Sequence, residues 1–264
     1  MTIISLISGV NQNIEELTDS MGLESDAVMV NQCDRDAEGT YELPSGKKVN
    51  WVCMNKRGVG LSRNTCIEKA LTLNGDICLF TDEDIKYDPG YAGLIEKEYL
   101  AHPEADAILF NMRVCEQRRT YWNTDYKRVR FYNYGRYPAY SISIKSEVLQ
   151  KKNVWFPLEF GGGAKYINGE DSVFLHDLLK AGVKIYRSPI CLGEEEERES
   201  TWFKGYDDRF FISRGALYVR LYGNMCSVMA WVFLLRHRYM YREIGLTQAI
   251  GLMKQGMKEI RERK

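Results

Sequence analysis

The sequence of 264 residues has no net charge, no paired cysteine motif and no apolar run long enough to cross a membrane. Lys plus Arg equals Asp plus Glu, 36 each, so no overall field attracts nucleic acid or an anionic membrane. The seven cysteines include no C-x-x-C pair, which disfavours a disulfide framework and a structural zinc site. The longest apolar block, residues 225–235, is 11 residues long, whereas a membrane span needs about 20.

The sequence also lacks an internal repeat, a low-complexity linker and a basic leader before its apolar first ten residues. We therefore expect a first core strand at the N-terminus and a cytoplasmic protein, with the inner face of the membrane as an alternative location. What is present is a globular composition, 45% hydrophobic and 27% charged, in a chain long enough for one catalytic-size core.

Strand-like and helix-like segments alternate in the first half of the sequence. The strand-like segments are residues 2–8, 26–32, 49–54 and 76–81, and the helix-like segments are residues 13–21 and 62–73. Ser62 is the expected N-cap of the second helix. This alternation predicts an α/β, Rossmann-like fold with a mostly parallel sheet flanked by helices, where ligands gather at the carboxyl ends of the strands.

The second half of the sequence is less regular. A strand is expected at residues 139–144, a helix after Asp171 that ends at Gly182, and another strand at residues 183–187, followed by a solvated charged loop at residues 194–199. From residue 218 the pattern is helical to the end. The predicted organisation is a catalytic domain over residues 1–217 and a C-terminal helical extension over residues 218–264.

An acidic cluster follows the most strand-like segment of the chain. Residues two apart in an extended segment point to the same side, so Asp82 and Asp84 could share one Mn²⁺ or Mg²⁺ while Glu83 turns away. Oxygen ligands suit such a hard cation, which would neutralise the diphosphate of a leaving group. The alternative is a solvated acidic turn, and the position directly after a buried strand favours the metal site.

Two further segments could bind a nucleotide. Residues 58–64 (GVGLSRN) place Gly60 and Arg63 at a loop-to-helix junction, where backbone N–H groups and an arginine could hold a phosphate. The alternative there is a glycine turn with a serine cap. Asp34, just after the second strand, could accept hydrogen bonds from a nucleobase or ribose, or could be a turn residue.

The Glu170-Asp171 pair opens an amphipathic helix and offers a general base. A carboxylate at such a junction could accept the proton of an attacking hydroxyl. The alternative is that Asp171 is only the helix N-cap, a position that Asp favours. His176, one turn further on, could be a ligand, although an ordinary helix histidine is the expected interpretation.

The order GVGLSRN, LFTDEDI, NGEDSVF and GVKIY resembles the family 2 glycosyltransferases of GT-A fold, over residues 2–215. The resemblance implies an inverting, DxD-containing enzyme in which Asp84 is the principal metal ligand, Asp82 its ribose- or metal-facing partner, and Asp171 the base. It also implies a mobile loop over the donor at residues 199–202 (ESTW), with Arg214 and Gly215 beyond it.

The same resemblance gives the donor-binding candidates. They are Ser8, Gly9, Asp34, Gly60, Arg63, Asn64, Asp82 and Glu170. Among these, Asp34 is the nucleobase-facing acid and Arg63 and Asn64 belong to the donor-side helix. The opening SLISGVNQN departs from the valine-proline-tyrosine-asparagine opening usual in the family.

The resulting expectation is a metal-dependent hexosyltransferase that moves a sugar from a UDP- or GDP-sugar to the hydroxyl of a glycan or lipid-linked acceptor, in bacterial surface polysaccharide or glycan synthesis. No nucleic-acid partner is expected. One alternative is a nucleotidyltransferase of similar fold, which would prefer a phosphate loop with a lysine that residues 5–13 do not contain. Another is a non-catalytic carbohydrate-binding relative.

The C-terminal helices allow two interpretations. Their apolar face could pack on the catalytic domain or on a second copy in a homodimer, or it could contact a membrane peripherally. Trp231, Phe233, Arg236, His237 and Arg238 place aromatic and basic residues side by side, as at membrane interfaces, and residues 258–264 add a basic tail.

Overall fold

A ten-stranded mixed β-sheet forms the centre of the computed structural model, which describes residues 1–196 and 205–262. The strands are β1 (Ile3–Val10), β2 (Asp26–Gln32), β3 (Ala37–Glu42), β4 (Lys48–Met54), β5 (Ile77–Asp82), β6 (Ile85–Tyr87), β7 (Ala107–Arg113), β8 (Lys127–Arg128), β9 (Ile142–Lys145) and β10 (Ile185–Glu195). Their order is β3-β4-β2-β1-β5-β9-β7-β10-β6, and β8 pairs with β10.

The four strands expected from the first half form a continuous parallel unit, β4-β2-β1-β5. In its register Ser8 lies opposite Val30 on one side and Asp82 on the other. The carboxyl ends of these strands therefore meet at one edge of the sheet, where the acidic cluster after β5 begins.

Antiparallel strands complete the sheet. β9 lies between β5 and β7 and is antiparallel to both, and β3 forms a hairpin with β4 at the edge. The expected strand at residues 139–144 is shorter, because Ala139–Ser141 form a 3₁₀ turn. The strand expected at 183–187 is instead much longer and ends at Glu195.

Helices cover both faces of the sheet. They are α1 (Ile14–Ser20), α2 (Val59–Ala70), α3 (Tyr91–Ala101), α4 (Ser146–Lys152) and α5 (Glu170–Lys180). Ile4 and Leu6 of β1 pack with α2, α4 and α5, whereas Ile3 and Ile7 pack with α1 and α3. This alternation along a strand buried on both sides explains its continuous apolar sequence. The predicted α/β fold is confirmed.

The start of α2 differs from the sequence expectation. The helix begins at Val59 after Gly58, which adopts φ 135°, and Ser62 is not its N-cap. Ser62 lies buried inside the helix, with its Oγ 2.8 Å from Ser8 Oγ. Glycine replaces the expected serine cap because this turn needs a positive φ, which residues other than glycine rarely adopt.

The C-terminal helices are α6 (Asp208–Tyr222), α7 (Cys226–Arg236) and α8 (Leu246–Arg261). They enclose a third apolar cluster together with Phe160, Tyr166 and Val173. A Cβ on Gly215 would lie 2.0 Å from the Met253 carbonyl oxygen, so α6 and α8 approach each other at backbone distance. The C-terminal extension is present, and the predicted boundary between residues 217 and 218 falls inside α6.

The helical run Asp208–Arg236 could cross a membrane by length and composition alone, with a mean hydropathy of 1.2 over its most apolar window. Gly223, at φ 52° and ψ −118°, divides this run into α6 and α7. Phe210, Phe211 and Leu217 of α6 are buried in the third cluster. In this structure α6 is therefore a core helix of the C-terminal unit.

Candidate active site

Three of the predicted acidic residues converge on the side chain of Arg63 at the carboxyl edge of the sheet. Arg63 Nη1 lies 2.7 Å from Asp171 Oδ1 and 3.2 Å from Glu170 Oε1. Its Nη2 donates to both oxygens of Asp82, at 2.9 and 3.2 Å. One guanidinium thus joins the end of β5 to the start of α5, two segments about ninety residues apart in the chain.

Arg63 is only 4% exposed and its guanidinium lies 5.3 Å from the centre of the Phe156 ring. Burial alone would lower the pKa of Arg63, but the charges of Asp82, Asp171 and Glu170 outweigh burial and raise it. The cation is therefore permanent, and it compensates part of the negative charge that the three carboxylates concentrate here.

Asp171 occupies the second position of α5 and does not cap it. The N-cap is Gly169, at φ 106°, and it makes no side-chain cap hydrogen bond. Burial and the charge of Glu170 raise the pKa of Asp171 to about 8, although Arg63 opposes the rise. A carboxyl group with a raised pKa is a better proton acceptor once it is ionised. The capping interpretation is thus excluded, and the geometry leaves the role of a base open.

Asp84 lies in the turn after β5, beside the end of β10. Burial raises the pKa of Asp84 to about 7, and the charges of Asp82 and Glu195 add to the rise. Glu195 is itself almost fully buried, with 6% of its side chain exposed, and pairs with Arg118 at 2.6 Å. Several carboxylates therefore crowd at this point, an arrangement that a divalent cation would relieve.

Glu195 lies beside the candidate site and was not predicted from the sequence. Residues 194–199 were expected to be a solvated loop, yet the strand continues through Glu195 and brings it to Asp84. The rest of that charged run, residues 197–199, lies outside the described residues. The available signal was the partly apolar segment 188–193 (SPICLG), which extends β10 beyond the predicted end at residue 187.

Glu83 points away from the Arg63 cluster as expected, although β5 ends at Asp82 and residues 83 and 84 form a turn, so the expected extended segment is absent there. Its Oε2 accepts a hydrogen bond of 2.6 Å from the backbone N–H of Val10. This bond holds the turn after β5 against the end of β1. Glu83 is therefore directed differently from the carboxylates that surround Arg63.

At the junction of residues 58–64, where a phosphate cradle was expected, several polar groups have partners within the chain. The Val59 N–H donates to the Gly162 carbonyl at 2.9 Å. A Cβ on Gly60 would lie 2.3 Å from the Pro157 carbonyl oxygen. Asn64 exchanges two hydrogen bonds, of 2.9 and 2.8 Å, with the backbone of Phe156. This junction holds the chain that leads to α5.

The remaining donor-binding candidates are spread around this edge. Ser8 is buried against Ser62, and Gly9 is close-packed, since a Cβ there would lie 3.1 Å from Glu83 Oε2. Asp34 is exposed in the connection between β2 and β3. The structure therefore places Asp34 at the predicted edge but outside the cluster around Arg63.

The fold agrees with the ordinary-helix interpretation of His176 and corrects the assignment of Arg214. His176 contacts Asp177 and the rings of Phe131 and Tyr134, away from the carboxylate cluster. Arg214 is not part of a mobile loop, because it lies half-buried in α6 with its guanidinium 5.1 Å from the Phe210 ring centre. Residues 199–202, the expected closing loop, lie outside the described residues.

The carboxylates at this edge of the sheet fit a metal ion that is bound together with a substrate. Among residues 1–196 and 205–262, no group of three or more His, Cys, Asp or Glu side chains forms a complete metal site. Asp82 and Asp84 offer two carboxylates, and Mg²⁺-type ions are commonly bound by one or two carboxylates plus substrate phosphates. A nucleoside diphosphate would supply the missing oxygen ligands.

Solved structures that share this fold include nucleotide-sugar complexes. A structure of TarS 1–349 from S. aureus in complex with UDP-GlcNAc matches with a TM-score of 0.65 and 14% identity, over 100% of this chain and 82% of that one. The mannosyltransferase PcManGT from Pyrobaculum calidifontis, in complex with GDP-Man and Mn²⁺, matches with a TM-score of 0.51 and 14% identity, over 99% and 75% of the chains. No family model and no curated protein matches the sequence. At these identities the chain shares the fold of GT-A-like glycosyltransferases.

Proposed function

We propose that this chain is a metal-dependent inverting glycosyltransferase that transfers a sugar from a nucleotide-sugar to an acceptor hydroxyl. The observation that supports the proposal most strongly is the cluster of Asp82, Glu170 and Asp171 around Arg63 at the carboxyl edge of the sheet. In folds of this kind ligands bind at that edge. Two structures with the same fold hold UDP-GlcNAc and GDP-Man.

Asp171 is the proposed base. It takes the proton of the acceptor hydroxyl while the oxygen attacks the anomeric carbon from the side opposite the diphosphate. The bond to the diphosphate breaks as the new glycosidic bond forms, and the diphosphate leaves with the electron pair. A single displacement inverts the configuration of the anomeric carbon.

Asp82 and Asp84 are the proposed ligands of a Mn²⁺ or Mg²⁺ ion. The ion would supply positive charge where the leaving diphosphate develops negative charge. Asp84 needs to be ionised to bind it, and because burial and its acidic neighbours raise the pKa of Asp84 to about 7, metal binding should weaken as the pH falls below 7.

Arg63 has a different proposed role from the phosphate contact that the sequence suggested. Its two Nη atoms are occupied by Asp82, Glu170 and Asp171, so the guanidinium holds the base and the metal-ligand carboxylate at fixed positions relative to each other. Such preorganisation lowers the cost of reaching the reactive geometry. Arg63 acts on the reaction through these carboxylates.

Donor binding should raise the melting temperature of the protein when Mn²⁺ is present. A ligand at 100 times its Kd stabilises the folded state by about 2.7 kcal/mol, a shift of about 5–10 °C for a domain of this size. We expect one class among UDP- and GDP-sugars to give this shift, and EDTA to remove it. Differential scanning fluorimetry measures it.

The control for this experiment is Asp84→Asn, which keeps the size of the side chain and removes its charge. It should melt at a temperature close to that of the parent without ligand and lose the shift with donor and Mn²⁺. If no UDP- or GDP-sugar stabilises the parent protein in the presence of Mn²⁺, the donor site proposed here is wrong.

A further inference from the structure

One face of α7 leaves apolar side chains exposed. Met225, directly before the helix, is 60% exposed, Val228 is 56%, Trp231 is 48% and Leu235 is 58%. Their spacing of three, three and four residues places them along one side of a helix. The opposite side of α7 carries Cys226, Ala230, Phe233 and Leu234, which are buried in the third apolar cluster. The helix thus lies half in the core and half on the surface.

This apolar face is concentrated in a short part of the chain. Of the fourteen large apolar side chains that are exposed among the described residues, six lie between residues 225 and 246. Scattered exposed apolar residues are normal, but a contiguous patch marks an interaction surface. A crease between α7 and α8, lined in part by Trp231, Leu234 and Met253, encloses only about 30 Å³. This volume is far too small for a small-molecule site. The face therefore fits an extended docking surface better.

Positive charge lies at one end and along one side of the face. The described residues 225–262 contain six Lys and Arg against three Asp and Glu, in a chain whose total charge is zero. Exposed Arg236 and Arg238 lie at and just beyond the end of α7, and exposed Lys254 lines the crease beside Trp231. Arg261 Nη2 lies 3.1 Å from Cys226 Sγ, at the start of α7. One end and one side of the apolar face therefore carry cations, and Arg261 lies towards the buried side of α7.

We propose that this face of α7 docks on an anionic membrane surface, with the helix lying parallel to the bilayer. An apolar stripe that includes a tryptophan and is bordered by Lys and Arg is the pattern of an interfacial helix, in which apolar groups enter the headgroup boundary and cations meet anionic lipids. Since Phe233 and Leu234 on the other side of α7 are buried in the protein, the helix binds at the surface and does not span the bilayer.

The charge distribution favours a membrane over a second copy of the chain. A symmetric dimer through this face would bring the same surface of both copies together. Each copy would present the same excess of positive charge to the other, and like charges at an interface oppose association. This inference does not depend on the proposed glycosyltransferase function, because it uses only the surface of α7 and its neighbours.

Vesicle flotation tests the proposal on the full-length protein. We expect it to float with phosphatidylcholine vesicles that contain 30% phosphatidylglycerol, to remain unbound with pure phosphatidylcholine, and to lose binding in 0.5 M NaCl. The double variant Trp231→Gln/Leu235→Gln should reduce flotation at least tenfold. Arg236→Gln/Arg238→Gln should reduce it as well, because the contact needs both apolar and cationic groups.

The matched control is Leu100→Gln, which replaces a leucine that is 68% exposed on α3 and should float like the parent. Circular dichroism and melting temperatures verify that every variant is folded. If the parent fails to float with anionic vesicles, or if the Trp231→Gln/Leu235→Gln variant floats equally well, the proposal is overturned. It is also overturned if the parent is a dimer in solution that this double variant converts into a monomer, since the face would then join two copies.

Discussion

Replacing Asp171 by Asn should lower the rate of sugar transfer by about 10²–10⁴, the usual contribution of a general base. Asn cannot accept the proton of the acceptor hydroxyl. Its side-chain oxygen can still accept a hydrogen bond from Arg63, and the position is not the helix cap, so folding and donor affinity should be retained. The rate is measured at saturating donor, and donor affinity is measured separately by calorimetry.

The control for this variant is Asp177→Asn, on the same helix. Asp177 pairs with Arg220 and His176 on a side of α5 away from the cluster, so its replacement removes the same charge from α5 without touching the site. It should transfer at nearly the parental rate. If Asp171→Asn transfers within a few-fold of the parent, Asp171 is not the base and the mechanism is wrong.

Replacing Arg63 by Gln should destabilise the fold by about 3–5 kcal/mol, the usual cost of removing one partner of a buried ionic group. Asp82, Glu170 and Asp171 would be left crowded together with no cation between them. Because such crowding raises carboxyl pKa values in the folded state, the loss of stability should shrink as the pH is lowered and the carboxyls become protonated. Urea unfolding at pH 8 and pH 5.5 measures both effects.

Arg113→Gln is the matched control that removes an arginine from an exposed ion pair instead of a buried one. Arg113 also binds a carboxylate with both Nη atoms, each 2.7 Å from an Asp88 oxygen, but both side chains are exposed to solvent. Exposed pairs contribute about 0–1 kcal/mol, so this variant should stay within that range. An equally small change in Arg63→Gln would contradict the description of the buried cluster.

The parallel part of the fold was predictable from sequence because its physical signals are local. β1, β2 and β5 are buried on both faces, so each reads as a short continuous apolar run. The antiparallel insertion of β9 between β5 and β7 was not predictable, since nothing within residues 142–145 specifies neighbours more than thirty residues away. Local patterns identify strands better than they identify their order.

The site was predictable to the same degree. Asp82, Asp84 and Asp171 could be selected as candidates because they lie directly at the end of a strand or the start of a helix. Arg63 was assigned to a phosphate, since its partners come from residues 19 and 108 positions away and only the fold brings them together. Glu195 was missed because a run of glutamates is usually solvated, whereas the length of β10 buries this one.

The proposed metal-dependent donor site is tested directly by calorimetric titration of UDP and of GDP into the protein at pH 8, with Mn²⁺ and then with EDTA. At this pH Asp84 is mostly ionised, given that its pKa is raised to about 7. We expect one of the two nucleotides to bind in Mn²⁺ and its affinity to fall at least about 100-fold in EDTA, because Asp82 and Asp84 then repel the diphosphate. Equal affinity with and without the metal would contradict the proposed site.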